Sequence, residues 1–194
     1  MKHSIEKHIA VAGLSFLGAC GDIHSEDHVQ EVGQLTHSQE EGGEFTSEKT
    51  SRTAEIVING TVTEVFPLFN PVEEPKWEPR FQPRFIYPAD HRVQKGMTFK
   101  TPAHGHDGEL VWRINEYDEA TYHIQYLVFA PYQVFTITID CEEVDEMKTS
   151  ARVTYEFIAL EDRGIALNEA RANRIFAADL SDWERSINQY LQRR

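Results

Sequence analysis

Near the C-terminal end, five large apolar residues recur at helical spacing: Phe176, Leu180, Trp183, Ile187 and Tyr190. Intervals of three and four residues put all five on one face of an α-helix. Arg174, Asp182, Arg185 and Gln189 fall on the opposite side, with Asp179 and Glu184 on the flanks. The spacing predicts one amphipathic helix within the stretch from about Arg163 to Arg194. An apolar stripe of this kind needs a cover. The preceding stretch, Ala54 to Leu160, reads mostly as short strands and turns, and a curved antiparallel sheet is the cover such strands make. The expected fold class is therefore α+β, a curved antiparallel β-sheet wrapped around a long C-terminal α-helix.

The strands follow from alternation. Leu110, Trp112 and Ile114 alternate with Glu109, Arg113 and Asn115; Tyr122, Ile124, Tyr126 and Val128 share a face, as do Phe135, Ile137, Ile139 and Cys141. Val153, Tyr155 and Phe157 mark the last strand, after a polar hairpin at Asp145-Glu146-Met147-Lys148. Connections this short require antiparallel pairing. Ala54 to Gly60 is the first strand. Thr61 or Thr63 is placed to cap a short helix that carries Val65, Phe66 and Phe69. The segment Asn70 to Pro79 is a proline-punctuated turn or second short helix.

The first fifty residues are of a different kind. Residues 1–20 open with Lys2 and Lys7, run through a mostly apolar stretch from Ile9 to Ala19, and end Leu17-Gly18-Ala19-Cys20. The apolar run is too short for a stable membrane span and fits a secretory signal. The ending resembles the lipobox of bacterial lipoproteins. That resemblance implies cleavage before Cys20, lipidation of its thiol and membrane attachment at the cell envelope; a mis-assigned start codon would instead leave a cytoplasmic protein. Residues 21–53 are rich in Ser, Glu, Gln, Gly, His and Thr, and such a composition does not bury enough surface to offset its ordering entropy. They are expected to form a disordered acidic linker, with residues 54–194 as the folded domain. With Cys20 lipidated, Cys141 is a lone buried thiol.

Acidic residues outnumber basic ones 32 to 19, for a formal net charge of −13. A nucleic-acid surface needs clustered Lys and Arg, so no nucleic-acid partner is expected.

The local words of the domain resemble the START-like superfamily, also called SRPBCC or polyketide cyclase/dehydrase-like. Val65-Phe66 with Leu68-Phe69, Glu74 with Trp77, and Ile86-Tyr87-Pro88 carry the early part; Gly96-x-x-Phe99, Trp112, Thr149 and Val153-Thr154-Tyr155 the middle; Phe176 to Leu191 the closing helix. The resemblance implies a helix-grip fold with a deep apolar cavity for lipids, sterols, hormones or aromatic polyketides. It supplies no shared catalytic motif.

The expected function is binding of a small hydrophobic or amphipathic ligand in that cavity. Its candidate lining is Trp112, Tyr122, Tyr126, Tyr155, Phe176, Leu180 and Trp183, since Tyr and Trp pair an apolar body with a polar tip. The enzyme alternative, a cyclase or dehydrase acting on an aromatic substrate, needs an acid or base inside the cavity, and His123 is the residue to watch. A third possibility is a protein-interaction module. His104-x-His106-Asp107 is better read as an exposed turn than as a metal site, because spacing fixes no third ligand. Arg113 and Arg152 are read as outward salt-bridge residues. No phosphate loop, Ser-His-Asp motif or CxxC pair appears, and neither a cofactor nor a metal is expected.

Overall fold

The computed structural model describes residues 45–103 and 108–194. Seven strands form one antiparallel sheet: β1 (Lys49–Ile58), β2 (Arg84–Tyr87), β3 (Thr98–Pro102), β4 (Glu109–Asp118), β5 (His123–Ala130), β6 (Gln133–Asp145) and β7 (Lys148–Ala159). Their order is β1-β7-β6-β5-β4-β3-β2. From β2 to β7 the chain is a meander of neighbours, and β1 returns to pair with β7. β1 begins at Lys49, five residues before the expected domain start, and Lys49 to Thr53 are already in register with Thr154 to Ile158. Composition pointed to a linker there, but the free hydrogen-bonding edge of β7 recruits the segment regardless of its polarity. The signal-like run, Cys20 and His104 to Asp107 lie outside the described residues.

One sheet face is strongly aromatic. Phe85, Phe99, Trp112, Val128, Phe135 and Phe157 lie opposite one another on successive strands. The neighbouring row holds Ile114, Tyr126, Ile137 and Tyr155. The alternation read from the sequence therefore has the right phase: these residues are buried, apart from a half-buried Phe85, while Thr136, Thr138, Asp140 and Arg152 face outward.

Between β1 and β2 the chain makes α1 (Val62–Val65) and two single 3-10 turns, Phe66–Phe69 and Glu74–Lys76. Thr61 starts α1; the Glu64 carboxylate accepts from both its backbone N–H and its hydroxyl, at 3.2 and 2.8 Å. Asn70 Oδ1 accepts from the N–H groups of Val72 and Glu73, both at 2.9 Å, which folds the segment back over the sheet.

The C-terminal segment departs from a single regular helix. α2 (Asp162–Arg174) and α3 (Leu180–Leu191) are joined by a π-helical turn at Ile175–Asp179. The wider turn shifts the helical phase. Asp179, expected on a flank, is turned inward and only 5% exposed. There Arg174 pairs with it, with nitrogens 3.3 Å from its carboxylate. Leu180, Trp183 and Ile187 are buried as the stripe requires, and Tyr190 packs at its edge. α2 can approach β7 closely because position 164 is glycine: a Cβ there would stand 2.2 Å from the carbonyl oxygen of Tyr132.

α3 also covers the sheet edge. Glu184 accepts from the N–H of Val57 at 2.9 Å. Asn188 accepts from the N–H of Asn59 at 2.7 Å and donates to the carbonyl of Val57 at 3.2 Å. Side chains of the helix thus occupy backbone groups that an edge strand would otherwise leave open. Among the described residues, no helix is long and apolar enough to cross a membrane.

Candidate functional site

The gap between sheet and helix is lined by Phe69, Glu74 and Trp77 from the two turns, Trp112, Tyr126, Ile137 and Ile139 from the sheet, and Trp183 from α3. Its volume is about 10 Å³, room for roughly one water molecule. Trp183 meets Trp77 at 5.8 Å with the rings inclined by 67°, and Phe69 at 6.5 Å. Trp112 stands nearly perpendicular to Tyr126, centroids 5.9 Å apart. Aromatic rings thus take up most of the space that the resemblance assigned to a deep hollow.

Several of these aromatics have their polar tips engaged by the protein. The Tyr126 hydroxyl donates to the Phe69 carbonyl at 2.7 Å, Trp77 Nε1 to the Leu68 carbonyl at 2.7 Å, and Trp112 Nε1 to Thr101 Oγ1 at 2.9 Å. Tyr126 and Trp112 belong to the lining, but their tips brace the scaffold, since a buried donor costs least when a nearby backbone or hydroxyl acceptor takes it.

Glu74 is the acidic member of the lining. It is 9% exposed, and among the described residues no hydrogen bond reaches its carboxyl group. Burial raises its pKa well above the ordinary carboxylate range, and the neighbouring Glu78 carboxylate adds to the effect. No basic side chain belongs to the lining. Burial likewise holds the hydroxyls of Tyr126 and Tyr155 neutral. A protonated carboxyl in this position can donate a hydrogen bond, transfer a proton, or ionise against an incoming cation.

The sequence paired Glu74 with Trp77 only as part of a resemblance and gave it no role. Within Glu73-Glu74-Pro75-Lys76 it looks like one more solvated charge. The available signal was the three-residue interval to Trp77, which puts both side chains on the same side of a single helical turn, while Glu73 pairs with Lys76 in solvent.

The other candidates are dispersed. Tyr155 is 1% exposed and stacked on Phe157 at 5.7 Å, beside the cavity and outside its lining. Leu180 is buried in the core without joining the lining. Tyr122 sits outside β5 with φ 53° and packs edge-on to Phe66. Phe176 belongs to the π turn, and its side chain is outside the described set.

His123 faces outward from β5. Its Nδ1 lies 2.6 Å from Asp140 and its Nε2 3.3 Å from Glu116, so it does not serve as an acid or base for the interior. Arg152 pairs with Glu55 and Glu142 on the outer face. Among the described residues, no group of three His, Cys, Asp or Glu is arranged to hold a metal ion.

No protein-family model matches the chain, and no curated protein matches it in sequence. Solved structures do match. Norcoclaurine synthase from Thalictrum flavum superposes with TM-score 0.60 at 10% identity, covering 86% of this chain and 100% of that one. The fold is the helix-grip fold. ZhuI aromatase/cyclase from Streptomyces sp. R1128 superposes with TM-score 0.57 at 14% identity, over 75% of this chain and 96% of that one. A Thermobifida fusca protein gives 0.54 at 18% identity, over 73% and 92%. The helix-grip architecture is common to all of them, and the likeness is one of fold.

Proposed function

We propose that the chain binds a small hydrophobic or amphipathic molecule in the cavity between the sheet and α3. The observation that carries this reading is an interior pocket walled by Trp77, Trp112, Tyr126 and Trp183 and containing one buried carboxyl, Glu74. A solid core has no use for an acid without a partner, whereas a pocket that orients a ligand needs a few polar groups in an apolar wall. The pocket has room for one water, so a larger guest must displace side chains, and Trp77 and Trp183, opposed across the gap, are the ones that must yield. Two structural neighbours agree with an aromatic guest: the Thalictrum enzyme was solved with dopamine and hydroxybenzaldehyde, and ZhuI is an aromatase/cyclase.

The test is native mass spectrometry of the purified chain with extraction of co-purified small molecules, backed by titration with 1-anilinonaphthalene-8-sulfonate. Stoichiometric uptake displaced by a co-purified compound is expected. Absence of both a bound molecule and saturable dye binding overturns the reading.

The second reading is a cyclase or dehydrase, favoured by the burial of Glu74 in the cavity wall, which raises its pKa. An acid inside the cavity can protonate a carbonyl or a leaving hydroxyl of an aromatic substrate. Turnover of a polyketide-like substrate that disappears in Glu74→Gln would establish it; unchanged turnover in that variant would remove it.

The cellular setting proposed here is the cell envelope, with Cys20 lipidated and residues 21–44 as part of the tether. Leu17-Gly18-Ala19-Cys20 supports it, and more than one acyl chain gives durable attachment. Palmitate labelling lost in Cys20→Ser, with globomycin-sensitive processing, is expected; an unlabelled cytosolic protein refutes it.

A further inference from the structure

We propose that the pocket around Glu74 is a site for a primary ammonium group carried on an apolar body, with Glu74 as its counter-ion. The inference rests on the ligand-binding reading above and adds the chemistry of the ligand's polar end.

Three features of the lining select that chemistry. The first is the wall. Trp77 and Trp183 meet at 67°, and Trp112 and Tyr126 at 84°, so rings inclined to one another enclose the space. Aromatic faces carry negative electrostatic potential and attract cations. The hydroxyl of Tyr126 and the indole N–H groups of Trp77 and Trp112, which could have served an anionic or carbonyl guest, are already donated to Phe69, Leu68 and Thr101.

The second is size. A volume of about 10 Å³ admits a head the size of a water molecule. A primary ammonium group meets that limit, so only the apolar body requires lining side chains to yield.

The third is the charge left to be matched. Glu74 is buried with no basic residue in the lining and no hydrogen bond to its carboxyl among the described residues. A buried charge is costly unless paired, so burial disfavours the charged form of Glu74 and raises its pKa. An ammonium ion supplies both the opposite charge and the N–H donors. On binding, the proton held by the Glu74 carboxyl leaves to solvent and an ammonium–carboxylate pair takes its place, so binding is coupled to proton release. The titratable groups around Glu74 are Glu78 on its own segment, Tyr126 on β5 and Tyr155 on β7, with Asp179, paired to Arg174, beyond Tyr155. Both tyrosines remain neutral throughout. The net charge of −13 favours the approach of cations over anions.

The experiment compares benzylammonium chloride with benzyl alcohol, its uncharged counterpart, by isothermal titration calorimetry on the purified chain near neutral pH. Benzylammonium should bind at least about tenfold more tightly, with a heat that varies with buffer ionisation enthalpy as proton release requires. Glu74→Gln should weaken benzylammonium about tenfold or more while leaving benzyl alcohol within about twofold. The comparison of probes on the unaltered chain does not depend on the variant folding. Benzyl alcohol binding as well as or better than benzylammonium, or a Glu74→Gln variant that binds benzylammonium normally, overturns the ammonium site while leaving the cavity reading intact. Absence of binding by both probes also overturns it, and the dye and mass-spectrometric measurements then decide the cavity reading separately.

Discussion

The hydroxyl of Tyr126, on β5, donates a 2.7 Å hydrogen bond to the carbonyl oxygen of Phe69, in the segment that leads to β2. This bond holds one wall of the pocket to the Phe66–Phe69 turn, which precedes the turn carrying Glu74. Tyr126→Phe leaves a buried carbonyl unsatisfied and should cost about 1–3 kcal/mol. Urea unfolding followed by tryptophan fluorescence measures it; an unchanged midpoint would show that the bond contributes nothing.

Trp183 is the residue through which α3 meets the pocket, 6% exposed and in contact with both Trp77 and Phe69. Trp183→Ala should destabilise the chain by about 3–5 kcal/mol through lost burial and the void left behind. The midpoint of denaturation falls with little change in slope if the rest of the fold persists. A loss below about 1 kcal/mol would show that α3 is not anchored through this side chain.

Glu74 sets a pH dependence of definite sign. Its folded pKa is raised by burial and by Glu78, so between its unfolded and folded values the native state holds the proton more firmly than the unfolded state. Stability from this group is fully present below the unfolded pKa of about 4.3 and is lost as pH rises through the folded value. Glu74→Gln removes the loss. The stability of the variant relative to the parent should therefore increase from pH 5 to pH 8 in paired denaturation curves. A gap independent of pH would mean that the carboxyl titrates normally.

Cys141 is 5% exposed, and burial, reinforced by the Asp140 charge, pushes its thiol up to about 12. In a Cys20→Ser background the native protein should react with 5,5′-dithiobis(2-nitrobenzoate) at least about a hundredfold more slowly than the urea-unfolded chain. Comparable rates would place the thiol at the surface.

Much of the architecture could be read from periodicity. Phe135, Ile137, Ile139 and Cys141 alternate inward as expected, and Leu180, Trp183 and Ile187 face the sheet, because burial on one side writes itself directly into spacing. Two kinds of information were not written there. The π turn shifts the phase of a helix whose residues look regular, and so turned Asp179 inward against expectation. Strand β1 extends into polar sequence because its pairing with β7 depends on backbone groups that every residue carries. At the pocket, Trp112, Tyr126 and Trp183 were visible as large aromatics, but Glu74 was hidden by its neighbours: Glu73 and Lys76, beside it in the chain, are charged too and pair with each other outside the lining.

The bonds from Glu184 and Asn188 to the backbone around Val57 couple two events. Any swing of α3 wide enough to admit a bulky guest must release these side chains and expose part of β1 to whatever strand is nearby. A guest that lets α3 settle back keeps that border sealed, whereas a chain trapped open presents a template for self-association. Under the proposed ligand binding, occupancy should consequently govern how long the protein stays dispersed at high concentration as well as how well it resists unfolding.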